Sequence, residues 1–270
     1  MNMSCCRNVA LAGAAVGLSF ASAALAGGPA IVPDNGFGSA NLPPIGGVYN
    51  TVLPSTTIAN GNMNIIDGLS PGDTIASDAT LGNFFYNPGG PGNVYSFAGG
   101  PHQVGGSLGG DKWASDGTLQ MPMLGTGSLA GFNRNIAIPF SFEVHSAPHT
   151  PFAPVQTFAT DFFRGFGQIT NPGAGDPDFD LLRIVAGTDF GMPSPGYTQF
   201  TQSGPNWSVD SFFDITYRID FVGRPGGQLS GRSGSTTGTV RIQIGEAVPA
   251  PGAAALLSLG GLVATRRRRA

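Results

Sequence analysis

Between its two ends this chain has no cysteine. Cys5 and Cys6, the only two, lie within the first 26 residues. A body without them excludes disulfides, thiol chemistry and cysteine-ligated zinc. Its stability must come from an apolar core, from association or from bound ions. Lysine is nearly absent too, with Lys112 standing alone, and charged residues are only 11% of the 270. No stretch between the ends carries a 3.6-residue apolar period, so long amphipathic helices are not expected. The 13 basic residues include Arg7 and Arg266, Arg267, Arg268 and Arg269 in the two ends; the remaining eight face 16 acids, a net charge of −8 for the middle. That acidic balance argues against nucleic acid, which needs a basic footprint. It suits divalent cations, high salt or neutral polymers.

The start reads MNMSCCRNVALAGAAVGLSFASAALAGG, with Arg7 followed by an uncharged run from Val9 to Ala26. Ala24 and Ala26 place small residues where signal peptidase needs them. Residues 1–26 are therefore expected to be a secretory signal, cut after Ala26. The run is too short and too rich in alanine and glycine for an uncleaved membrane helix. The end reads VPAPGAAALLSLGGLVATRRRRA. As a helix, 252–265 would span about 21 Å at roughly 1.5 Å per residue, short of a hydrocarbon core of about 30 Å. Pro249 and Pro251 bar its extension toward the body. The four arginines would stay on the cytoplasmic side, giving a transient anchor in the inner membrane.

The tripartite order of Val248-Pro249-Ala250-Pro251, an apolar stretch and Arg266, Arg267, Arg268 and Arg269 resembles a PEP-CTERM protein-sorting signal. The resemblance covers 248–270. It implies cleavage by an exosortase-like membrane protease and delivery to the cell surface or an extracellular polysaccharide matrix. Ala250 stands where that motif carries glutamate, a departure that bears on which sorting enzyme reads the tail.

Residues 27–247 are long enough for one domain. Gly and Pro number 43 and 22, clustering at 88–93, 99–112 and 171–178; such clusters punctuate turns. The clearest pattern is WSVDSFFDITYRIDFVG at 207–223. Val209, Ser211, Phe213, Ile215, Tyr217, Ile219 and Phe221 alternate with Asp210, Phe212, Asp214, Thr216, Arg218 and Asp220. Period two, wet on one side, predicts an antiparallel strand. Val240, Ile242 and Ile244 repeat the pattern in a hairpin partner. Further strands are expected at 62–66, 81–86, 118–124, 135–144, 155–163 and 181–185. The fold class expected is all-β, an antiparallel β-sandwich of about eight strands, with a jelly roll as a variant. Phe84-Phe85, Phe162-Phe163 and Phe212-Phe213 would each put one ring outside the core, either as a sugar-stacking platform or beneath a covering layer.

Asp176, Asp178 and Asp180 follow a Gly/Pro loop and supply hard oxygens of the kind calcium takes. They are the candidate metal ligands, although Leu181 and Gly187 break the helix–loop–helix calcium pattern. His145 and His149 have helical ligand spacing, but Pro148 and Pro151 deny the helix. Gly105-Gly106-Ser107-Leu108-Gly109 fits the nucleophile-elbow string without the strand-to-helix flanks it requires. Gly125-Thr126-Gly127-Ser128-Leu129-Ala130 mimics a dinucleotide loop without its βαβ setting. The expectation is an exported, non-enzymatic surface or matrix protein without a cofactor, handled by signal peptidase and an exosortase-like protease. The alternative is a module binding exopolysaccharide, with or without calcium. A secreted hydrolase is the third reading.

Overall fold

The computed structural model describes residues 28–52, 63–64, 68–86, 97, 100–170, 175–246 and 248. Ala24, Ala26, Pro249, Ala250, Pro251 and the four terminal arginines, and with them the leader and nearly all of the sorting tail, lie outside the described residues. Among the described residues thirteen strands succeed one another: β1 (Ala30–Pro33), β2 (Val48–Val52), β3 (Met63–Asn64), β4 (Ile75–Ser77), β5 (Thr80–Phe85), β6 (His102–Val104), β7 (Asp111–Gly125), β8 (Asn133–Ser146), β9 (Val155–Thr170), β10 (Phe179–Ala186), β11 (Pro195–Ser203), β12 (Asn206–Gly223) and β13 (Ser233–Ile244). The helical turns among the described residues are two 3₁₀ segments, Gly127–Leu129 and Thr188–Phe190. None of the described helices is long and apolar enough to cross a membrane.

Every pairing is antiparallel, as the alternation on β12 predicts, and the pairings run in a circuit. β7 pairs β8, β8 pairs β9, and β9 pairs both β10 and β11. Both of those pair β12, which pairs β13. β13 pairs β2, β2 pairs β5, and β5 returns to β7. The sheet is thus one and closed, which leaves no open edge along the circuit. From β7 to β13 neighbours follow the chain as a meander, so the jelly-roll variant, which needs Greek-key crossings, is not the order found. β10 and β11 share one position end to end, and residues 187–194 bulge out between them.

The alternation on β12 is realised. Val209, Ser211, Phe213, Ile215, Tyr217, Ile219 and Phe221 are all buried. Rings from five strands around the circuit meet inside. Phe162 stacks on Phe142 at 5.8 Å, Phe162 meets Phe213 at 6.0 Å, and Tyr49 touches Phe213 and Phe84 at 5.7 and 5.9 Å. Each such ring contributes about 1.5–3 kcal/mol by leaving water, which is how a body without disulfides holds together. Gly165 makes the packing possible: a Cβ there would lie 2.6 Å from the Phe162 ring and 2.8 Å from that of Phe140. The register of β8 on β9 slips between Glu143 and Val144: Val144 pairs Phe162 while Glu143 pairs Arg164. Phe163 is the extra residue of this bulge, and such bulges re-aim side chains.

Candidate functional site

The densest polar cluster lies where the turn between β6 and β7 folds onto the outer face of β8. Gly105 and Gly106 donate their N–H groups to the Gly110 carbonyl at 2.8 and 2.9 Å, and Gly109 donates to Gly106 at 2.9 Å. Gly109 sits at φ +86°, a conformation that side chains resist. Gly106 is bare where a Cβ would come within 2.7 Å of the Asp111 carbonyl and 3.2 Å of His145. The turn can therefore rest against the imidazole. Ser107, exposed at its tip, donates its N–H to His145 Nδ1 at 3.0 Å, and its Oγ lies 2.8 Å from the same nitrogen.

A backbone N–H can only donate. Nδ1 is thus the unprotonated nitrogen, and Nε2–H points 2.7 Å away to Glu143 Oε1. Glu143 and His145 alternate along β8 and so share a face. The bulge in β9 brings Arg164 opposite Glu143, with Nε and Nη2 at 2.7 and 2.6 Å from Oε2. It also lays the Phe163 ring on the imidazole, centroids 4.0 Å apart. Burial pushes the Glu143 carboxyl up, but the His145 hydrogen bond and the Arg164 charge outweigh it, and the net shift is downward. Asp161, opposite His145 on β9, takes a hydrogen bond from the Thr188 hydroxyl at 2.7 Å. Burial holds its carboxyl above the ordinary value, against the hydrogen bonds of Thr188 and Ser107.

A second network lies beside the same turn. Gln156 donates Nε2–H to the Gly38 carbonyl at 2.6 Å, which turns its Oε1 toward His149 Nδ1 at 2.8 Å. His149 Nε2 is 3.0 Å and His102 Nε2 is 3.3 Å from one oxygen, Oδ2, of Asp111. These imidazoles, His102 first, hold the Asp111 carboxyl well below its usual range against the cost of burial. Val104, Gly105, Gly109, Asp111, Pro148 and His149 border a cleft of about 210 Å³. All three histidines of the chain therefore gather at one end of the sheet. His145 and His149, four residues apart, belong to separate networks rather than to one ligand pair.

The carboxylates predicted for calcium are placed otherwise. Asp176 and Asp178 close on Arg134: Asp176 Oδ2 is 2.7 Å from Nη2, and Asp178 takes Nη1. Asp176 Oδ1 accepts the N–H groups of Asp178 and Phe179, and Asp178 Oδ1 that of Gln228. Asp180 lies half-buried on β10. The Arg134 guanidinium lies between these two carboxylates. Among the described residues no group of three or more histidine and carboxylate side chains converges as a metal site. At the 125–130 loop, Asp73 occupies the turn, its carboxylate 2.6 Å from the Ser128 N–H and 2.6 Å from its hydroxyl. The Phe-Phe pairs divide as period two requires: Phe84, Phe162 and Phe213 are inside. Of their partners, Phe212 lies under Arg241 at 4.2 Å, Phe163 lies on His145, and Phe85 is exposed. They do not make one platform.

Glu143, Asp161 and Arg164 are members of the His145 cluster that the sequence reading misses. The spacing Glu143-x-His145 on an expected strand is the available signal, since it places both on one face. Their partners depend on the β9 bulge and have no local signature. No family model, curated protein or solved structure matches the chain.

Proposed function

We propose that this chain is an exported protein of the cell surface or extracellular matrix, released behind Ala26 and sorted through its tail by an exosortase-like protease, with a structural or adhesive role. The observation that carries the reading is the order Val248-Pro249-Ala250-Pro251, apolar run and four arginines, at the end of a chain that opens on an export leader. The body's design supports it. Its strands close on themselves into a flattened, sandwich-like unit around an aromatic core, which needs no disulfide outside the cell. Gly28, Pro29, Ala30 and Ile244 border one cleft of about 370 Å³, so a body tethered by its tail would hang from the end at which its leader was cut. Mass spectrometry of the protein from its producing cell tests this. The expected termini are Gly27 and a residue near the Pro-x-Pro motif. An intact chain carrying Met1 and Arg269 overturns the reading.

One observation favours the polysaccharide-binding alternative. Phe37 and Phe152 are exposed by 61% and 75%, and Phe152 adopts φ +63°. Its N–H donates to the Gly38 carbonyl at 2.8 Å, which sets both rings near the His149 network. A bulky residue held at positive φ is strained and marks a functional position. Retention on neutral glycans, lost in Phe37→Ala and Phe152→Ala, supports this reading. A glycan array without retention removes it. On this reading Arg134 holds Asp176 and Asp178, and EDTA is expected to leave any retention unchanged.

A further inference from the structure

We propose that Ser107 is an activated nucleophile, with His145 as its general base and Glu143 holding that base, and that it takes the acyl group of small neutral carboxylic esters. The assignment goes beyond an adhesive role and would replace the expectation of a non-enzymatic body.

Three features of the geometry carry it. The first is the nucleophile–base contact: Ser107 Oγ lies 2.8 Å from His145 Nδ1, within the reach a general base requires. The second is the tautomer. Glu143 Oε1 on Nε2 at 2.7 Å leaves the basic lone pair on the serine side, where the Ser107 N–H holds it at 3.0 Å and must release it as the hydroxyl proton arrives. The third is the hold on the base: Arg164 fixes Glu143, and Phe163 fixes the plane of the ring. The two ends of the relay differ in exposure. His145 and Glu143 are buried, whereas Ser107 is open to solvent. A substrate thus meets the hydroxyl while water is kept from the base.

The surroundings select the substrate. Glu143, Asp161, Asp111 and Asp189 set four carboxylates around the turn against Arg164 and Lys112, which disfavours anions. Gly106 presents bare backbone on one side of Ser107, and Leu108, exposed by 40%, an apolar side chain on the other. In the reaction, Oγ bonds to the ester carbonyl carbon as its proton passes to Nδ1. The tetrahedral adduct collapses with cleavage of the bond to the alcohol oxygen, and that oxygen takes the proton from Nδ1. Water then attacks the acyl-serine, gives a proton to Nδ1, and Oγ departs and recovers it. The sum is ester plus water giving acid plus alcohol. Ser107 and His145 are the catalytic residues, and Glu143 and Arg164 are positioning residues.

The test uses the full chain, a fluorophosphonate and p-nitrophenyl acetate. With the fluorophosphonate, Oγ bonds to phosphorus, fluoride leaves, and the proton goes to His145. The expected result is a single label mapped by mass spectrometry to Ser107, and acetate release that Ser107→Ala abolishes without changing the melting temperature. His145→Gln should slow labelling by roughly 100-fold or more, the usual contribution of a general base. Glu143→Gln should slow it and displace its pH profile, which a merely structural role would not do. A labelling rate at Ser107 no greater than at Ser203, an exposed serine, overturns the proposal whether or not the variants fold.

Discussion

Truncating each of two adjacent phenylalanines separately tests the bulged register of β9 and the direction of its side chains. Phe162 is inside, 2% exposed, stacked on Phe142 and edge-on to Phe213. Phe163 is half-buried on the outer face, with His145 at 4.0 Å. Phe162→Ala removes a fully buried ring and leaves a cavity, a loss of about 3–5 kcal/mol. In a body of this size each kcal/mol lowers the melting temperature by roughly 2–4 °C, so the expected fall is roughly 6–20 °C. Phe163→Ala loses one ring contact of about 0.5–1.5 kcal/mol and part of one ring's burial. Its melting temperature should fall by only roughly 2–6 °C. Thermal unfolding of the full chain, followed by circular dichroism in the sheet region, reads both. Equal falls, or a larger one for Phe163→Ala, would mean that the bulge does not lie between Glu143 and Val144 and that the face assignment of β9 is wrong.

Gly165→Ala should destabilise by about 1–3 kcal/mol through overpacking, because the new methyl meets the Phe162 and Phe140 rings; denaturant midpoints compare it with wild type. Arg134→Met should cost about 2–3 kcal/mol by removing the guanidinium from Asp176 and Asp178, below the full penalty of a buried pair because Arg134 is 24% exposed. Added Ca²⁺ should then raise the melting temperature of that variant and not of wild type, and an equal effect on both would refute the account of this loop. Asp111 has a depressed folded value. Its contribution is complete above the ordinary aspartate value of 3.8 and is lost as pH falls through the depressed one. Asp111→Asn should therefore flatten the loss of stability on the acid side of 3.8, measured as denaturant midpoint against pH.

Strands with a strong alternation are legible in the residues alone. The reading of β12 and β13 as a hairpin, with Phe213, Ile215 and Ile219 inside, follows from period two. β11 is not legible, because its inward residues Gly196, Thr198 and Phe200 include only one large apolar side chain. β7 is legible only from Thr118 onward, since Asp111 and Lys112 emerge from a glycine cluster that reads as loop. At the candidate site the string around Ser107 is visible, but without a strand-to-helix turn it has no base to serve. His145 is visible only as a partner for His149. Asp176 and Asp178 read as cation ligands because their spacing cannot reveal Arg134, 42 and 44 residues away.

What the order of residues determined by itself was local. It set which stretches extend, which face of each enters the core, where glycines permit turns, and that a cysteine-free, acidic body must stand on apolar packing. What only the tertiary structure decided was non-local: the closure of β5 on β7, the sharing of one position by β10 and β11, and the meeting of Ser107 with His145 across 38 residues. The physical reason is that burial and alternation act on neighbours in the chain. A hydrogen bond between distant side chains exists only once the sheet has fixed their register, and here that register turns on the single extra residue in β9.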